Sequence, residues 1–216
     1  MLASRSAVVS RAAARPVPFQ ARSRRTVSVS ALKVGENLKD SAEFYRVLKA
    51  SDGSVVSLAS FVNERKQPLV LFFYPKAGTP GCTKQACKFR DEYARFTDAG
   101  AVVFGISGDS PEENKAFAEA QRLPFPLLTD PSNILRKLWG CTQILVITPA
   151  AHGLCPTPHP LPAIFLTGAD LLVLPGRQTY VFDRTGKCLL SFNSQLDTEK
   201  HVSEALAALA TVKSVA

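Results

Sequence analysis

The sequence predicts an α/β domain whose mixed central sheet is covered by helices on both faces. Residues 67–74 contain a continuous apolar run, which is typical of a central strand buried on both sides. Strand-like and helix-like segments alternate after this run as far as residue 139. Two further strand-like segments, within residues 178–192, are spaced as a hairpin. Alternating and hairpin-connected strands together give a sheet with parallel and antiparallel neighbours.

The first predicted elements are two short strands, a central strand and a helix. Residues 44–48 and 54–58 flank Asp52-Gly53, a dipeptide that favours a hairpin turn. The apolar run follows as the central strand and ends in a loop rich in glycine and proline. A helix is predicted over residues 82–98, where the aromatic side chains recur at helical spacing.

The next elements complete a strand, helix, strand unit and extend it. Residues 101–107 are predicted to form a second buried strand. Ser110 precedes Pro111, and Glu113 lies three positions after the serine, so these residues predict a capping box at the start of a helix that runs to about residue 121.

The remaining elements are short, apart from the last helix. Residues 126–128 predict a strand and residues 132–139 a helix. A hairpin is predicted from residues 178–182 and 188–192, and a final helix begins at Thr198. The apolar face of that helix consists of Val202, Ala205, Leu206, Leu209 and Val212.

The formal net charge of +8 is concentrated at the N-terminus. Residues 1–31 contain six arginines and no acidic residue, interleaved with alanine and serine, which predicts an organelle transit peptide before a domain over residues 32–216. A disordered basic tail with a binding role is the alternative. The rest of the chain has 20 basic and 18 acidic residues, a net charge of about +2, and therefore gives no support for a nucleic-acid partner. No apolar stretch of about 18 residues free of breakers predicts a membrane span.

The cysteines are odd in number and too sparse for a disulfide scaffold. In a reducing organelle interior, reactive thiols are therefore the better interpretation. The five are Cys82, Cys87, Cys141, Cys155 and Cys188.

Cys82 is the candidate nucleophile. It lies at the start of the predicted helix, where free backbone N–H groups and the helix dipole favour a thiolate. Thr79 is expected to place its hydroxyl beside the sulfur, and Pro75 and Pro80 are expected to restrict the preceding loop. Position alone fits a buried, unreactive cysteine equally well.

Cys87 follows five residues later and is a candidate partner for Cys82. In an intact helix five residues rise about 7.5 Å and turn the two side chains apart. A disulfide needs Cα atoms within about 7 Å and converging Cβ vectors. A disulfide between these cysteines therefore predicts local unwinding of the helix, whereas without one Cys87 is a small helix residue.

Residues 72–87 resemble the active-site segment of peroxiredoxin Q, also called the bacterioferritin comigratory protein type, in its plastid form. The Pro-x-x-x-Thr-x-x-Cys signature of that family falls on Pro75, Thr79 and Cys82, and its resolving cysteine falls on Cys87. The similarity continues through two ranges, residues 35–140 and 174–210. It implies a thioredoxin-like fold.

By the same resemblance, Arg177 completes the peroxide site, where a permanent cation stabilises both the thiolate and the departing oxygen. The implied activity is that of an atypical two-cysteine peroxidase acting on hydrogen peroxide or alkyl hydroperoxides. Cys82 becomes a sulfenic acid, which condenses with Cys87 to a disulfide that thioredoxin or a similar dithiol reduces. The resemblance implies no metal or organic cofactor. It also implies a monomer in the chloroplast, in the stroma or at the thylakoid, with the mitochondrion less favoured.

Two rival functions remain open at this point. A protein dithiol-disulfide oxidoreductase is disfavoured, because that chemistry typically uses Cys-x-x-Cys. A redox-responsive binding protein or chaperone is the second rival, with its apolar surface supplied by residues 141–173. Deleting those residues would abolish binding on this reading but leave a peroxidase active.

Residues 141–173 depart from the family pattern. This Pro-rich insert has five prolines and a single charged residue, Asp170. Its cysteines and histidines match no recognised zinc spacing, so a metal site is disfavoured; they are Cys141, His152, Cys155 and His159. The abrupt change in composition favours a translated intron or gene-model error. If the insert is real, it is expected to misplace Arg177 or cover the active site.

Two residues outside these motifs complete the predictions. Cys188 is predicted to be an ordinary strand residue, and His201 a surface residue of the last helix.

Overall fold

The computed structural model describes residues 32–41, 45–141, 143–148 and 170–213. The strands are β1 (Val47–Ala50), β2 (Val55–Ser57), β3 (Leu69–Phe73), β4 (Val102–Ser107), β5 (Leu127–Thr129), β6 (Gln143–Thr148), β7 (Asp170–Pro175), β8 (Gln178–Phe182) and β9 (Cys188–Phe192). The α-helices are α1 (Leu58–Asn63), α2 (Pro80–Asp91), α3 (Tyr93–Asp98), α4 (Pro111–Ala120), α5 (Ile134–Leu138) and α6 (Lys200–Lys213). The predicted transit peptide, residues 1–31, lies outside the described residues.

Seven strands form one mixed sheet in the order β2-β1-β5-β4-β3-β8-β9. The pairs β3-β4 and β4-β5 are parallel, whereas β1-β2, β1-β5, β3-β8 and β8-β9 are antiparallel. The mixed sheet predicted from the sequence is therefore confirmed. β3 lies between β4 and β8, so every residue of this strand is buried.

The two faces of β3 contribute to two separate hydrophobic clusters. Leu69, Leu71 and Phe73 belong to the cluster that includes α1 and the start of α5. Val70 and Phe72 point the other way, into the cluster formed with α2, α3, α4 and α6. Since successive strand side chains alternate between faces, this double burial explains the continuous apolar run in the sequence.

The predicted helix over residues 82–98 is two helices in the structure. The backbone leaves the helical region at Glu92, where φ is −99° and ψ is 9°. With this break, Tyr93 packs on Phe125 with ring centroids 5.6 Å apart, and Phe96 remains 5.6 Å from Phe89. Spacing alone did not predict the break, because a kinked pair of helices keeps nearly the same apolar periodicity.

Several local predictions are confirmed. Ser110 and Glu113 form the predicted capping box, with Pro111 in the first turn of α4. The hairpin β8-β9 has its predicted bounds. No helix among the described ranges is long and apolar enough to cross a membrane.

The prediction that His201 lies on the surface is wrong. Its side chain is buried beneath β8 and β9, where the ring packs edge-on against Phe192 at 4.9 Å between centroids. Its Nδ1 lies 2.8 Å from the Thr179 hydroxyl, and its Nε2 lies 2.8 Å from the carbonyl oxygen of Ser194. The imidazole can be buried because both ring nitrogens have hydrogen-bond partners.

The region that breaks the family pattern contains two strands. β6 and β7 pair antiparallel, from Gln143 opposite Pro175 to Thr148 opposite Asp170, and form a sheet separate from the main one. No strand was predicted in this region from the sequence. Apolar residues there do not alternate with polar ones, so the strand period was not visible.

Candidate active site

Cys82 lies at the point where the central strand passes into a helix. The chain leaves β3, crosses the loop of residues 74–79 and enters α2, with Thr79 as N-cap and Pro80 in the first turn. Proline fits there because the first helical N–H groups have no intrahelical acceptor. Cys82 is thus in the first turn, next to free N–H groups at the positive end of the helix. Its side chain is completely buried.

Arg177 reaches the same helical turn from the other side of β3. The antiparallel register pairs Phe73 with Gln178, so the residue before β8 lies where β3 ends. Arg177 is only 7% exposed, and its Nη1 donates a 2.9 Å hydrogen bond to Oε1 of Gln85 in α2. A Cβ atom added at Gly81 would lie 2.6 Å from Nη2 of Arg177. The guanidinium therefore rests against the helix turn that carries Cys82.

The loop before α2 is held by hydrogen bonds from two sides. The backbone N–H of Ala77 donates to Oδ2 of Asp109 at 2.7 Å. The Thr79 hydroxyl donates to the carbonyl oxygen of Lys76 at 3.1 Å, so its predicted place beside the sulfur of Cys82 stays a prediction. Pro75 begins the loop and is half-buried.

A buried polar network lies beneath this loop. The Tyr74 hydroxyl donates to Oδ1 of Asn114 at 2.6 Å, and the Ser107 hydroxyl donates to the same oxygen at 3.1 Å. Nδ2 of Asn114 donates in turn to the Thr129 hydroxyl at 3.2 Å. Burial raises the pKa of Tyr74 above its ordinary value, so the phenol remains protonated and continues to donate.

Arg136 of α5 contacts both segments that flank Cys82. Its Nη2 donates to the carbonyl oxygen of Tyr74 at 2.7 Å, and its Nη1 donates to the carbonyl oxygen of Gly176. Its Nε donates to Oδ1 of Asn133 at 3.2 Å. Burial lowers the pKa of Arg136, while the anionic forms of nearby groups, Cys82 among them, act in the opposite direction.

Cys87 is half-buried on the same helix, facing the end of α4. Its thiol donates to Oε1 of Gln121 across 3.4 Å, and Nη1 of Arg90 donates to the carbonyl oxygen of Gln121 at 2.7 Å. Cys82 and Cys87 are both free thiols, and α2 is continuous through them. An intact helix keeps the two sulfurs too far apart for a bond.

The sequence is similar to a known protein family. The pattern of the AhpC/TSA family matches residues 40–191. A chloroplastic peroxiredoxin Q from Populus jackii is 46% identical over 160 residues, which are 74% of this chain and 62% of that protein. The chloroplastic peroxiredoxin Q of Sedum lineare is 44% identical over 166 residues, which are 77% of this chain and 74% of that protein. The chain belongs to the peroxiredoxin Q family.

A solved structure supports the fold of this chain. Peroxidoxin BcpB from Mycobacterium tuberculosis has a TM-score of 0.61 and 30% identity to it, with 84% of this chain and 98% of that chain covered. The thioredoxin-like fold implied by the resemblance is thereby confirmed. The Populus and Sedum relatives are chloroplastic, which confirms the predicted plastid location. The chain spans about three fifths of the length of the Populus relative.

Both relatives are named peroxiredoxins, which agrees with the predicted enzyme class. Arg177 lies against Gly81 in the structure, and the effect of a real insert on its position or on access to the site stays a prediction. Cys141, at the start of the insert, and Gly176, just after its end, both bond to Arg136. The N–H of Cys141 donates to the carbonyl oxygen of Arg136 at 2.9 Å, and Gly176 is bound by the side chain of the same arginine.

The other described thiols differ from the two in α2. Burial raises the pKa of Cys141 and of Cys188 to about 12 each. Cys188 lies in β9 as an ordinary strand residue, as predicted. Such thiols are poor nucleophiles near neutral pH, because the thiolate is the reactive form.

No group of three or more metal-ligating side chains occurs in the part of the chain that the structure describes. Three of the four residues considered for a metal site, His152, Cys155 and His159, lie outside the described residues. The disfavoured metal site therefore stays a hypothesis that the fold does not test.

Three residues of this site were missed by sequence reasoning: Gln85, Asp109 and Arg136. Gln85 and Asp109 lie within stretches quoted for the family resemblance, but nothing in their spacing indicated a role. Arg136 had one available signal, a cation next to Lys137 in a short helix whose other residues are apolar. Its acceptors are backbone carbonyls, which leave no trace in the side-chain sequence.

Proposed function

We propose that this chain is a peroxidase in which Cys82 is the peroxidatic cysteine and Cys87 the resolving cysteine. The observation that carries the proposal is the position of Arg177 against Gly81, in the helix turn that holds the buried Cys82. A thiolate at a helix N-terminus next to a fixed guanidinium is an activated nucleophile.

The first step is attack by the Cys82 thiolate on the terminal oxygen of a hydroperoxide. The S–O bond forms as the O–O bond breaks, and the leaving alkoxide or hydroxide takes up one proton to give an alcohol or water. Sulfur is oxidised to a sulfenic acid and the peroxide is reduced. Arg177 stabilises the negative charge that develops on the oxygens. Because the thiol has no exposed surface, small hydroperoxides are the expected substrates.

The second step is condensation of the sulfenic acid with the Cys87 thiol. The disulfide forms, and the sulfenic oxygen leaves as water after accepting the thiol proton. The first turns of α2 must unwind for the sulfurs to meet, since residues 82 and 87 are separated by about 7.5 Å of helix rise. The bond from the Cys87 thiol to Gln121 must also break.

The proposed reductant is thioredoxin or a similar dithiol in the chloroplast, in the stroma or at the thylakoid. Two thiols of the reductant are oxidised while the Cys82-Cys87 disulfide returns to two thiols. The protein is proposed to act as a monomer, because both cysteines lie on one helix of one chain. Thr79 and Pro75 are proposed to shape the peroxide side of the site.

The test is stopped-flow consumption of hydrogen peroxide with thioredoxin, comparing wild type with Cys82→Ser, Cys87→Ser and Cys188→Ser. The last variant is the matched control, since serine can keep the bond from Cys188 to the carbonyl of Leu190. We expect no turnover without Cys82, one turnover and a trapped sulfenic acid without Cys87, and full activity in the control.

Two outcomes would contradict the proposal. Equal rates for wild type and Cys82→Ser would remove Cys82 from the reaction. Reduction of protein disulfides without peroxide consumption would favour the dithiol-disulfide oxidoreductase instead.

A further inference from the structure

The side chain of Arg136 joins two backbone segments that are far apart in sequence. One acceptor is the carbonyl of Tyr74, the residue before Pro75, and the other is the carbonyl of Gly176, the residue before Arg177. The planar guanidinium makes both bonds from one rigid group. The start of the Cys82 loop and the start of the Arg177 strand are therefore fixed relative to each other through this side chain.

Arg136 is buried, and among the described residues no carboxylate forms an ion pair with its guanidinium. It is 2% exposed, and its three side-chain hydrogen bonds go to two backbone carbonyls and the Asn133 amide. The nearest acid along the chain, Asp130, instead accepts from the backbone N–H groups of Leu135 and Arg136 at 3.0 Å each. Asp130 thereby holds the start of α5, while the guanidinium is left for the active-site carbonyls.

Burying a cation among neutral acceptors costs free energy, so stability alone does not account for it. The orientation is also defined on every side. Nε is held by Asn133, and the guanidinium lies over the ring of Phe73 with Cζ 5.5 Å from the centroid. The two terminal nitrogens of Arg136, the fork that donates to the two carbonyls, therefore have a fixed position.

We propose that Arg136 is a positioning residue for the peroxidase reaction, setting the separation between the Pro75 loop and Arg177 across Cys82. This inference rests on the proposed function. When the fork is lost, Arg177 loses the anchor of its preceding carbonyl. The guanidinium then no longer holds a fixed place against the helix turn that carries Cys82, and peroxide activation falls.

The experiment uses the full chain in a Cys87→Ser background, so that one oxidation of Cys82 is observed. Arg136→Met, Arg136→Lys and Asn133→Gly are compared with Lys137→Met, the matched control, which removes an exposed cation from the next position of α5. Asn133→Gly removes only the Nε partner, and glycine suits its φ of 54°. Two rates are measured, with hydrogen peroxide and with iodoacetamide, which needs the thiolate but not the peroxide-activating geometry.

We expect Arg136→Met to lower the rate constant with hydrogen peroxide about 100-fold, the effect of a displacement of about 1 Å at a catalytic group. Arg136→Lys should fall within three-fold of the methionine variant, because an ammonium lacks the fork. Alkylation of Cys82 by iodoacetamide should fall less than ten-fold in both, because the helix N-terminus still stabilises the thiolate when Arg177 is displaced. Asn133→Gly should lose peroxide rate by an intermediate factor and keeps the test informative if Arg136→Met does not fold.

Three results would overturn the inference. Full peroxide rate in Arg136→Lys would mean that only the charge matters. Equal losses with peroxide and iodoacetamide would mean that the substitution disturbs the thiol in general and not its geometry with Arg177. A parent protein that reacts with iodoacetamide but not with peroxide would remove the proposed function itself, which separates that failure from failure of the Arg136 variants alone.

Discussion

Substitution of Gly81 by alanine should disable the peroxide site while leaving the helix intact. The added Cβ would lie 2.6 Å from Nη2 of Arg177, and ordinary contact begins at about 3.4 Å, so the guanidinium must move by about 0.8 Å to restore ordinary contact. A shift of this size costs about 100-fold in rate, or about 2.7 kcal/mol of transition-state stabilisation. Alanine suits the helical backbone better than glycine by up to about 1 kcal/mol, which offsets part of the strain.

The assay is kcat/KM for hydrogen peroxide by stopped flow, with urea unfolding measured on the same samples. Lys84→Ala is the matched control, because it changes an exposed position of α2 that makes a surface ion pair with Glu199 at 3.1 Å. The activity of the alanine variant at 81 should fall far more than its stability. If its kcat/KM remains within three-fold of wild type, Arg177 in this position does not serve the reaction.

Three further predictions use other parts of the fold. Cys141 and Cys188, with pKa values raised to about 12, should resist alkylation at pH 8 in the native protein and react fully after unfolding, as read by mass spectrometry; native modification would contradict their burial. Burial lowers the pKa of His201, so as the pH falls the unfolded state binds a proton before the folded state does. The contribution of the neutral ring to the free energy of unfolding is therefore complete above about pH 6.5 and is lost as the pH falls. Urea unfolding should show this loss in the wild type and not in a His201→Gln variant. Amide hydrogen exchange over residues 80–87 should accelerate when peroxide oxidises the wild type but not Cys87→Ser; unchanged exchange would mean that α2 does not unwind.

The parts of the fold that the sequence predicted are those encoded by local patterns. The central strand was visible because both of its faces are apolar, and α4 because Ser110 and Glu113 cap it through contacts only three residues apart. The position of Cys82 at a helix start was also predicted from a local pattern, the prolines in the loop just before it. The proposed roles of Cys87 and Arg177 beside Cys82 came from a family resemblance. No spacing rule would have identified Arg177.

The missed features depend on contacts between distant residues. His201 looks like a surface histidine until Thr179 and Ser194, 22 and 7 residues away, supply partners for both ring nitrogens. Arg136 bonds to carbonyls 62 and 40 residues away. Any residue offers a backbone carbonyl, so no sequence pattern identifies these acceptors.

The hydrogen bond from the Arg136 side chain to the carbonyl of Gly176 makes the chain between Cys141 and Gly176 tolerant of changes in length. Because Cys141 and Gly176 are both anchored to the same arginine, the length of chain between them does not set the position of Arg177. Lengthening a segment of chain costs only about 0.6 kcal/mol per doubling once its ends are held. We therefore expect that an epitope tag or a fluorescent reporter inserted into this region would leave the redox chemistry unchanged. The segment that departs from the family pattern would then serve as an attachment point for following peroxide inside the plastid.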